Sequence, residues 1–155
     1  MVIEIRELGS RDVISTVQLC AEIRNFHIKL LNGYFKPQDD EFEKEYLEKL
    51  IEDKNSICLI AVAGEQVIGL LFAERKNASY LVSPDICNIH NFGVAECCRK
   101  QGVGKKLMDE FCRVAKKNGI DEVKLGVCLN NKDAVYFYKK YGFKPIEQKM
   151  SLNIS

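Results

Sequence analysis

The chain has 155 residues, of which 46% are hydrophobic, and a formal net charge of +1 at neutral pH. This length and apolar fraction predict a single domain over residues 1–155, built around one hydrophobic core. A net charge near zero gives no overall attraction to nucleic acid or to a membrane surface, so neither is predicted as a partner.

The first half of the chain predicts one strand, two helices and a β-hairpin. Ser10 is a suitable N-cap for the first helix, and the acidic residues after Pro37 suit the positive end of the second helix dipole. Apolar residues recur at helical spacing in both segments. The predicted elements are a strand at 2–7, a helix at 11–31, a helix beginning near Asp39, and hairpin strands at 57–63 and 67–74 around Gly64.

The second half predicts alternating strands and helices after a loop that includes Ser83 and Pro84. Gly93 interrupts the fourth strand, which is typical of a bulge or a close backbone approach. The elements are strands at 86–94, 122–128 and 144–154, and helices at 102–117 and 131–141. Hairpin strands followed by alternating helices and strands predict a three-layer α/β (α+β) domain around a mixed sheet.

The cysteines and histidines argue against disulfide and metal chemistry. Seven cysteines without a CxxC pair predict reduced thiols and a cytoplasmic location. Neither His27 nor His90 lies near a cysteine pair at zinc-ligand spacing, so no metal is predicted. No apolar run approaches the length that a membrane crossing needs.

A basic, glycine-rich loop joins the fourth strand to the following helix. Free N–H groups at a helix N-terminus favour phosphate, and Gly102 and Gly104 lack the side chains that would keep a pyrophosphate from the backbone. The Rossmann fingerprint needs a third glycine where Leu107 stands, and the P-loop needs four residues between its glycines. Both of those phosphate-binding motifs are therefore excluded.

The remaining pattern, R-x-x-G-x-G starting at Arg99, resembles the acyl-CoA-binding motif of the GNAT acetyltransferases. A second pattern from Asn131 to Phe143 resembles that family's N-x-x-A-x-x-x-Y-x-x-x-G-F signature. The resemblance implies a GNAT-like three-layer fold, with a mixed, mostly antiparallel sheet of about six to seven strands, four flanking helices and a splay between strands 4 and 5. It implies an N-acetyltransferase that moves the acetyl group of acetyl-CoA directly to an amine acceptor in a ternary complex.

The same resemblance implies residue roles. The diphosphate would lie on the amides of 101–105, and the pantetheine arm would pair with the fourth strand. Tyr138 matches the family's tyrosine that protonates the departing CoA thiolate, with a core aromatic as its alternative. Asn131 is also the natural N-cap of its helix. The implied cofactor-binding residues are Phe92, Val94, Arg99, Lys100, Gln101, Gly102, Val103, Gly104, Lys105, Asn131 and Tyr138.

The base that deprotonates the amine is predicted to be His90, which completes the catalytic pair with Tyr138. An imidazole with a pKa near 6.5 could take the proton directly or through water, and a hydrogen-bonded structural histidine is the alternative. Several family members carry a Glu or His on this strand or the next, where this chain has Asn88 and Gly126. An acyl-cysteine route through Cys128 lacks a histidine partner in the sequence.

Two further functions and one assembly state stay open at this stage. Basic residues without interleaved aromatic ones are a weak basis for nucleic-acid binding. A catalytically silent acyl-CoA-binding or sensing module would carry the same motifs.

The amine acceptor is not identified, although the acidic second helix hints at a cationic acceptor. The alternating strand at 144–154 offers an edge for a homodimer, which the resemblance also implies.

Overall fold

The computed structural model describes residues 1–82 and 85–155, so Ser83 and Pro84 of the predicted loop lie outside the described residues. Most predicted elements are present, with ends shifted by a few residues. In chain order they are β1 (Glu4–Glu7), a 3-10 turn (Ser10–Asp12), α1 (Val13–Leu30), α2 (Asp40–Glu52), β2 (Ser56–Ala63), β3 (Gln66–Asn77), β4 (Asp85–Val94), a 3-10 turn (Glu96–Cys98), α3 (Val103–Lys117), β5 (Glu122–Leu125) and α4 (Lys132–Tyr141).

The sheet is mixed and mostly antiparallel, as predicted. Its order is β1-β2-β3-β4-β5, in which the first four strands run antiparallel to their neighbours and β5 runs parallel to β4. The two-residue turn between β2 and β3 contains Gly64 at φ +63°, a conformation that glycine adopts without strain.

The predicted splay between strands 4 and 5 is also present. Parallel pairing begins at Ile86 with Glu122 and ends at Ile89 with Leu125. Beyond that point β4 continues to Val94 while the chain after Leu125 leaves the sheet. The edge of β4 from Asn91 to Val94 is therefore open toward β5.

Helices cover both faces of the sheet, and two glycines mark where they come closest. A Cβ atom on Gly69 would lie 2.9 Å from Cδ1 of Leu107 on α3, whereas one on Gly93 would lie 2.8 Å from Cγ1 of Ile23 on α1. Gly93 pairs with Leu70, the residue after Gly69, and successive side chains of a strand point to opposite faces. Thus α1 and α3 pack on opposite faces, and Gly93 is a close-packing glycine.

The strand count and the last predicted strand are wrong. The described residues form five strands instead of six to seven, and 144–154 is not a strand. No backbone hydrogen bond joins residues 144–155 to any other described residue. Alternation of apolar and polar residues predicts a face for a strand but supplies no partner, and without a partner the segment cannot form a ladder. The fifth strand ends at Leu125 instead of 128 because the chain turns out of the sheet there.

None of the helices in the described part of the chain combines the length and hydrophobicity that a membrane crossing requires.

Candidate active site

A cleft of about 1440 Å³ opens at the splay between β4 and β5. Its walls come from α1, α2, the open end of β4, the loop before α3, the residues after β5, and α4. All but one of the predicted site residues line this cleft. The exception is Gln101, whose side-chain Nε2 donates a hydrogen bond to the Cys97 carbonyl at 3.0 Å.

The loop before α3 presents a row of backbone N–H groups. Lys100 and Gly102 have φ values of +60° and +81°, and Gly102 is the N-cap of α3. The first helical hydrogen bond runs from the Lys106 amide to the Gly102 carbonyl at 3.0 Å, and the amides of 101–105 bond to no described residue. Consecutive free amides at the positive end of a helix dipole form a binding site for an anion.

Gly104 allows the start of α3 to approach the aromatic wall of the cleft. A Cβ atom at this position would lie 3.3 Å from Cζ of Phe92 and 3.6 Å from Cε2 of Phe137. A larger residue at position 104 would therefore displace these rings as well as crowd the row of amides.

The basic side chains of the loop are held in different ways. Arg99 Nε donates to the Val94 carbonyl at 3.0 Å, and its guanidinium lies 4.8 Å from the centre of the Phe26 ring. Lys105 pairs with Asp109 at 2.6 Å, and Lys100 is exposed at the rim. Arg99 thus fastens the loop to the end of β4 and to α1, and the Val94 carbonyl already accepts one hydrogen bond within the chain.

His90 is the extra residue of a β-bulge. Phe72 on β3 pairs with Asn91 and Ala73 pairs with Ile89, which leaves His90 without a counterpart. Bulges re-aim a side chain out of the regular alternation. The irregularity that the sequence placed at Gly93 is therefore at His90, which lines the cleft.

Tyr46 is the hydrogen-bond partner of His90. Its hydroxyl lies 3.2 Å from His90 Nδ1. Burial raises the pKa of Tyr46 to about 12 and lowers the pKa of His90, so at neutral pH the phenol keeps its proton and the imidazole is neutral. When Nδ1–H donates to the Tyr46 hydroxyl, Nε2 is left with a free lone pair.

Tyr138 combines a packed ring with an unpaired hydroxyl. The ring centre lies 6.0 Å from that of Phe92 and 5.6 Å from those of Phe137 and Phe143. Its hydroxyl makes no hydrogen bond to a described residue, although Tyr141, one turn away, donates to Asp109 at 2.8 Å. Burial raises the pKa of Tyr138 to about 12, so its proton is retained at neutral pH.

Asn131 caps α4 in the predicted way. Its Oδ1 accepts a hydrogen bond from the Ala134 amide at 3.2 Å, and the residue also lines the cleft. The two roles that the sequence left open for Asn131 are therefore sterically compatible.

Three cleft residues besides Tyr46 were missed by sequence reasoning. Arg24 on α1 pairs with Glu43 on α2 at 2.7 Å, with side chains only 15% and 10% exposed, and His27 Nδ1 lies 3.0 Å from the Ile23 carbonyl. Arg24 and Glu43 are 19 positions apart in the sequence, so their pairing becomes evident only when the two helices pack together. Glu43 is the acidic residue by which α2 lines the cleft, and Arg24 already neutralises it, which weakens the hint of a cationic acceptor.

Thiols and metal ligands show no assembled site among the described residues. All seven cysteines are free, and Cys97 and Cys98 lie with their sulfur atoms 3.6 Å apart. No cluster of three or more His, Cys, Asp or Glu residues in 1–82 and 85–155 could hold a metal ion. The two histidines bond to Ile23 and Tyr46, and neither bonds to a cysteine.

In a comparison with known protein families, residues 24–143 match the sequence model of the acetyltransferase (GNAT) family. N-alpha-acetyltransferase 50 of Danio rerio is 36% identical over 125 residues, which are 79% of this chain and 70% of the relative. An uncharacterized N-acetyltransferase of Methanocaldococcus jannaschii is 32% identical over 103 residues, 66% of this chain; the matched region spans only 44% of that relative's length.

The fold also resembles that of a solved complex with a CoA-containing analogue. The structure of AAC(6')-Iy with a bisubstrate analogue, CoA-S-monomethyl-acetylneamine, superposes with a TM-score of 0.74 over 100% of this chain and 99% of the other, at 17% identity. At that identity the likeness shows the fold alone.

Proposed function

The chain belongs to the acetyltransferase (GNAT) family, and we propose that it is an acyltransferase that transfers the acetyl group of acetyl-CoA directly to an amine acceptor in a ternary complex. The observation that carries the proposal is the row of free amides at 101–105, which opens onto the cleft that also holds Tyr138 and His90. In this proposal the cavity supplies an anion site, a proton donor and a proton acceptor.

The cofactor-binding assignment rests on two open parts of the backbone. The amides of 101–105 would bind the pyrophosphate of acetyl-CoA, and Lys100 and Arg99 would add positive charge beside it. Among the described residues, the edge of β4 beyond Ile89 has no strand partner on the β5 side, so the pantetheine amides would pair there with Phe92 and Val94.

The size of the cleft supports a ternary complex. Sites for one small ligand measure roughly 300 to 1,000 Å³. The cleft of about 1440 Å³ therefore has room for an acceptor beside acetyl-CoA. Direct attack by the amine is favoured over an acyl-cysteine because, among the described residues, neither histidine bonds to a cysteine that it could activate.

The proposed reaction needs one base and one acid. The amine nitrogen attacks the thioester carbonyl and gives a proton to Nε2 of His90, directly or through water. The C–S bond then breaks, and Tyr138 protonates the CoA thiolate as the amide is released. The reaction requires a protonated Tyr138 hydroxyl and a neutral His90 imidazole. The raised pKa of Tyr138 and the lowered pKa of His90 favour these two states at neutral pH.

How strongly the reaction depends on the base is set by the pKa of the acceptor amine. Deprotonating a lysine-type amine with a pKa near 10.4 costs about 4 to 5 kcal/mol at neutral pH, whereas an α-amine near 8 costs only about 1 kcal/mol. The name of the Danio rerio relative makes a peptide α-amine the first acceptor to test, and the analogue bound to AAC(6')-Iy makes an aminosugar the second.

We also propose a cytoplasmic homodimer. Seven free cysteines suit a reducing compartment. The exposed apolar side chains of the C-terminal segment suit contact with another chain.

His90→Ala should change the acidic limb of the pH–rate profile. Burial lowers the pKa of His90, so kcat/KM of the unmodified enzyme should fall only as the pH drops below about 6.5, where the imidazole becomes protonated. The variant should lose this limb, and its rate loss should be greater for a lysine-type amine than for an α-amine. His27→Ala, the other cleft histidine, is the matched control. An unchanged acidic limb in His90→Ala would assign the limb to another group.

Two measurements on the same protein test the proposed function: acetyl-CoA binding and amine-dependent release of CoA. Thermal shift with acetyl-CoA identifies binding, and a thiol-reactive dye then detects CoA released with each amine of a panel of peptides, aminosugars, polyamines and lysine derivatives. Acetyl-CoA binding with amine-dependent CoA release supports the enzyme. Binding without release for every amine would favour the silent acyl-CoA-binding module instead.

A further inference from the structure

Two adjacent thiols, Cys97 and Cys98, lie directly before the loop of free amides. They belong to the 3-10 turn Glu96–Cys98, and their sulfur atoms are 3.6 Å apart, which is a hydrogen-bond contact between thiols. The proposed acetyl transfer uses neither thiol. Their chemistry is therefore available for another purpose.

The two thiols differ in exposure. Cys97 is exposed, whereas Cys98 is only 8% exposed and lines the cleft. Burial and the hydrogen bond with Cys97 raise the pKa of Cys98, so this thiol keeps its proton at neutral pH. An oxidant in the solvent therefore reaches Cys97 first, and Cys98 is in place to react with the product. Redox-sensing cysteines share this arrangement of an accessible thiol beside a second thiol that resolves it.

A bond between the two sulfur atoms would strain the backbone of the turn. The Cα atoms of neighbouring residues are about 3.8 Å apart across a trans peptide, whereas disulfides usually join Cα atoms roughly 4.4–6.8 Å apart. The peptide between 97 and 98 would have to distort before the bond could close. Strained disulfides are readily reduced, and in a reducing compartment such bonds are usually transient and redox-sensing.

Hydrogen bonds of the turn would carry this distortion into the loop. The Cys97 carbonyl accepts a hydrogen bond from Nε2 of Gln101 at 3.0 Å, and the Arg99 amide donates to the Glu96 carbonyl at 3.3 Å. On the other side, the Glu96 amide donates to Oε1 of Glu22 on α1 at 2.6 Å. Because α1 holds the start of the turn, a distorted peptide within it shifts the residues that follow.

We propose that Cys97 and Cys98 are a site of oxidative modification, at which hydrogen peroxide closes a disulfide that displaces the amides of 101–105 and weakens the binding of acetyl-CoA. Formation of the disulfide is independent of the proposed function, whereas its effect on acetyl-CoA rests on that function.

The modification takes two steps. Sγ of Cys97 attacks one oxygen of the peroxide, the O–O bond breaks, and a sulfenic acid and one water are formed. Sγ of Cys98 then attacks the Cys97 sulfur, the S–O bond breaks, and the departing hydroxide takes the Cys98 proton to give a second water. Two thiols are oxidised to a disulfide, and one hydrogen peroxide is reduced to two waters.

Peptide masses after treatment with hydrogen peroxide test for the bond. Cleavage after Glu96 and Glu110 releases residues 97–110, which contain these two cysteines and no other. The unmodified chain should give this peptide with two hydrogens fewer and no thiol open to alkylation, and dithiothreitol should restore both thiols. Cys98→Ser should instead keep a sulfenic acid on Cys97, which dimedone labels. Two thiols that both remain open to alkylation, or equal dimedone labelling of the unmodified chain, would contradict the site.

Isothermal titration of the same samples measures the effect on acetyl-CoA. Oxidation should weaken the affinity by about 10- to 100-fold, as expected when a charge-assisted hydrogen bond to phosphate is lost, and reduction should restore it. Cys97→Ser changes an exposed side chain to one of similar shape, so it should bind acetyl-CoA like the reduced chain and should not respond to peroxide. Cys112→Ser, on α3, is the matched control and should respond as the unmodified chain does.

The two measurements separate the parts of the proposal. A disulfide that leaves the affinity unchanged, or an equal loss of affinity in peroxide-treated Cys97→Ser, would contradict the effect on the loop. Reduced protein that does not bind acetyl-CoA would contradict the proposed function together with that effect, while the peptide masses would still decide whether the disulfide forms.

Discussion

Gly102→Val and Gly104→Val should each abolish measurable binding of acetyl-CoA while leaving a folded protein. The two positions act for different reasons. Gly102 has φ +81°, which a β-branched residue rarely adopts, so valine would reshape the turn that aligns the free amides. Valine at 104 would press on Phe92 and Phe137, which line the cleft beside those amides.

The fold should tolerate both changes because backbone strain at 102 and overpacking at 104 each cost on the order of 1–3 kcal/mol, against about 5–15 kcal/mol of total stability. Isothermal titration with acetyl-CoA measures binding, and circular dichroism checks the fold. Gly64→Val is the matched control, since Gly64 also has a positive φ, at +63°, but lies in the hairpin turn. Unchanged affinity in either loop variant would show that the amides of 101–105 do not bind the diphosphate.

Tyr138→Phe should lower kcat by about 100-fold while hardly changing the affinity for acetyl-CoA. General acids contribute about 10²- to 10⁴-fold, and a thiolate leaves more easily than an alkoxide, which places the loss at the low end, near 3 kcal/mol. The phenylalanine ring keeps the packing against Phe92, Phe137 and Phe143, and only the unpaired hydroxyl is lost.

Steady-state kinetics with a confirmed acceptor measures this effect. Tyr136→Phe removes a hydroxyl from the same helix, on a side chain that is 67% exposed, and should leave kcat unchanged. If Tyr138→Phe retained near-normal turnover, Tyr138 would be a packing residue and water would be the acid.

Features that depend on neighbouring residues were predictable from the sequence. The glycine spacing of 102 and 104 indicated a free helix N-terminus, and the structure shows it because the turn and the first helical hydrogen bond are local. The buried stripe of α3 was likewise predictable from its period, as Leu107 and Phe111 show.

Features that depend on the packing of distant elements were not predictable. The Tyr46–His90 contact joins residues 44 positions apart, and the Arg24–Glu43 pair requires α1 and α2 to be adjacent. The bulge at His90 reflects a register shift against β3, to which the glycine at 93 gave a misleading clue. Residues 144–154 have the alternation of a strand, but alternation cannot show whether a sheet edge is available to pair with them.

Acetyl transfer itself is tested most directly by mass spectrometry with isotopically labelled acetyl-CoA and the amine panel. The account predicts an acetylated amine that carries the label, in an amount equal to the CoA released, and loss of that product in the Gly102→Val variant. Acetyl-CoA that binds to the unmodified protein but labels none of the amines would contradict the assignment of this cleft as an acetyltransferase active site.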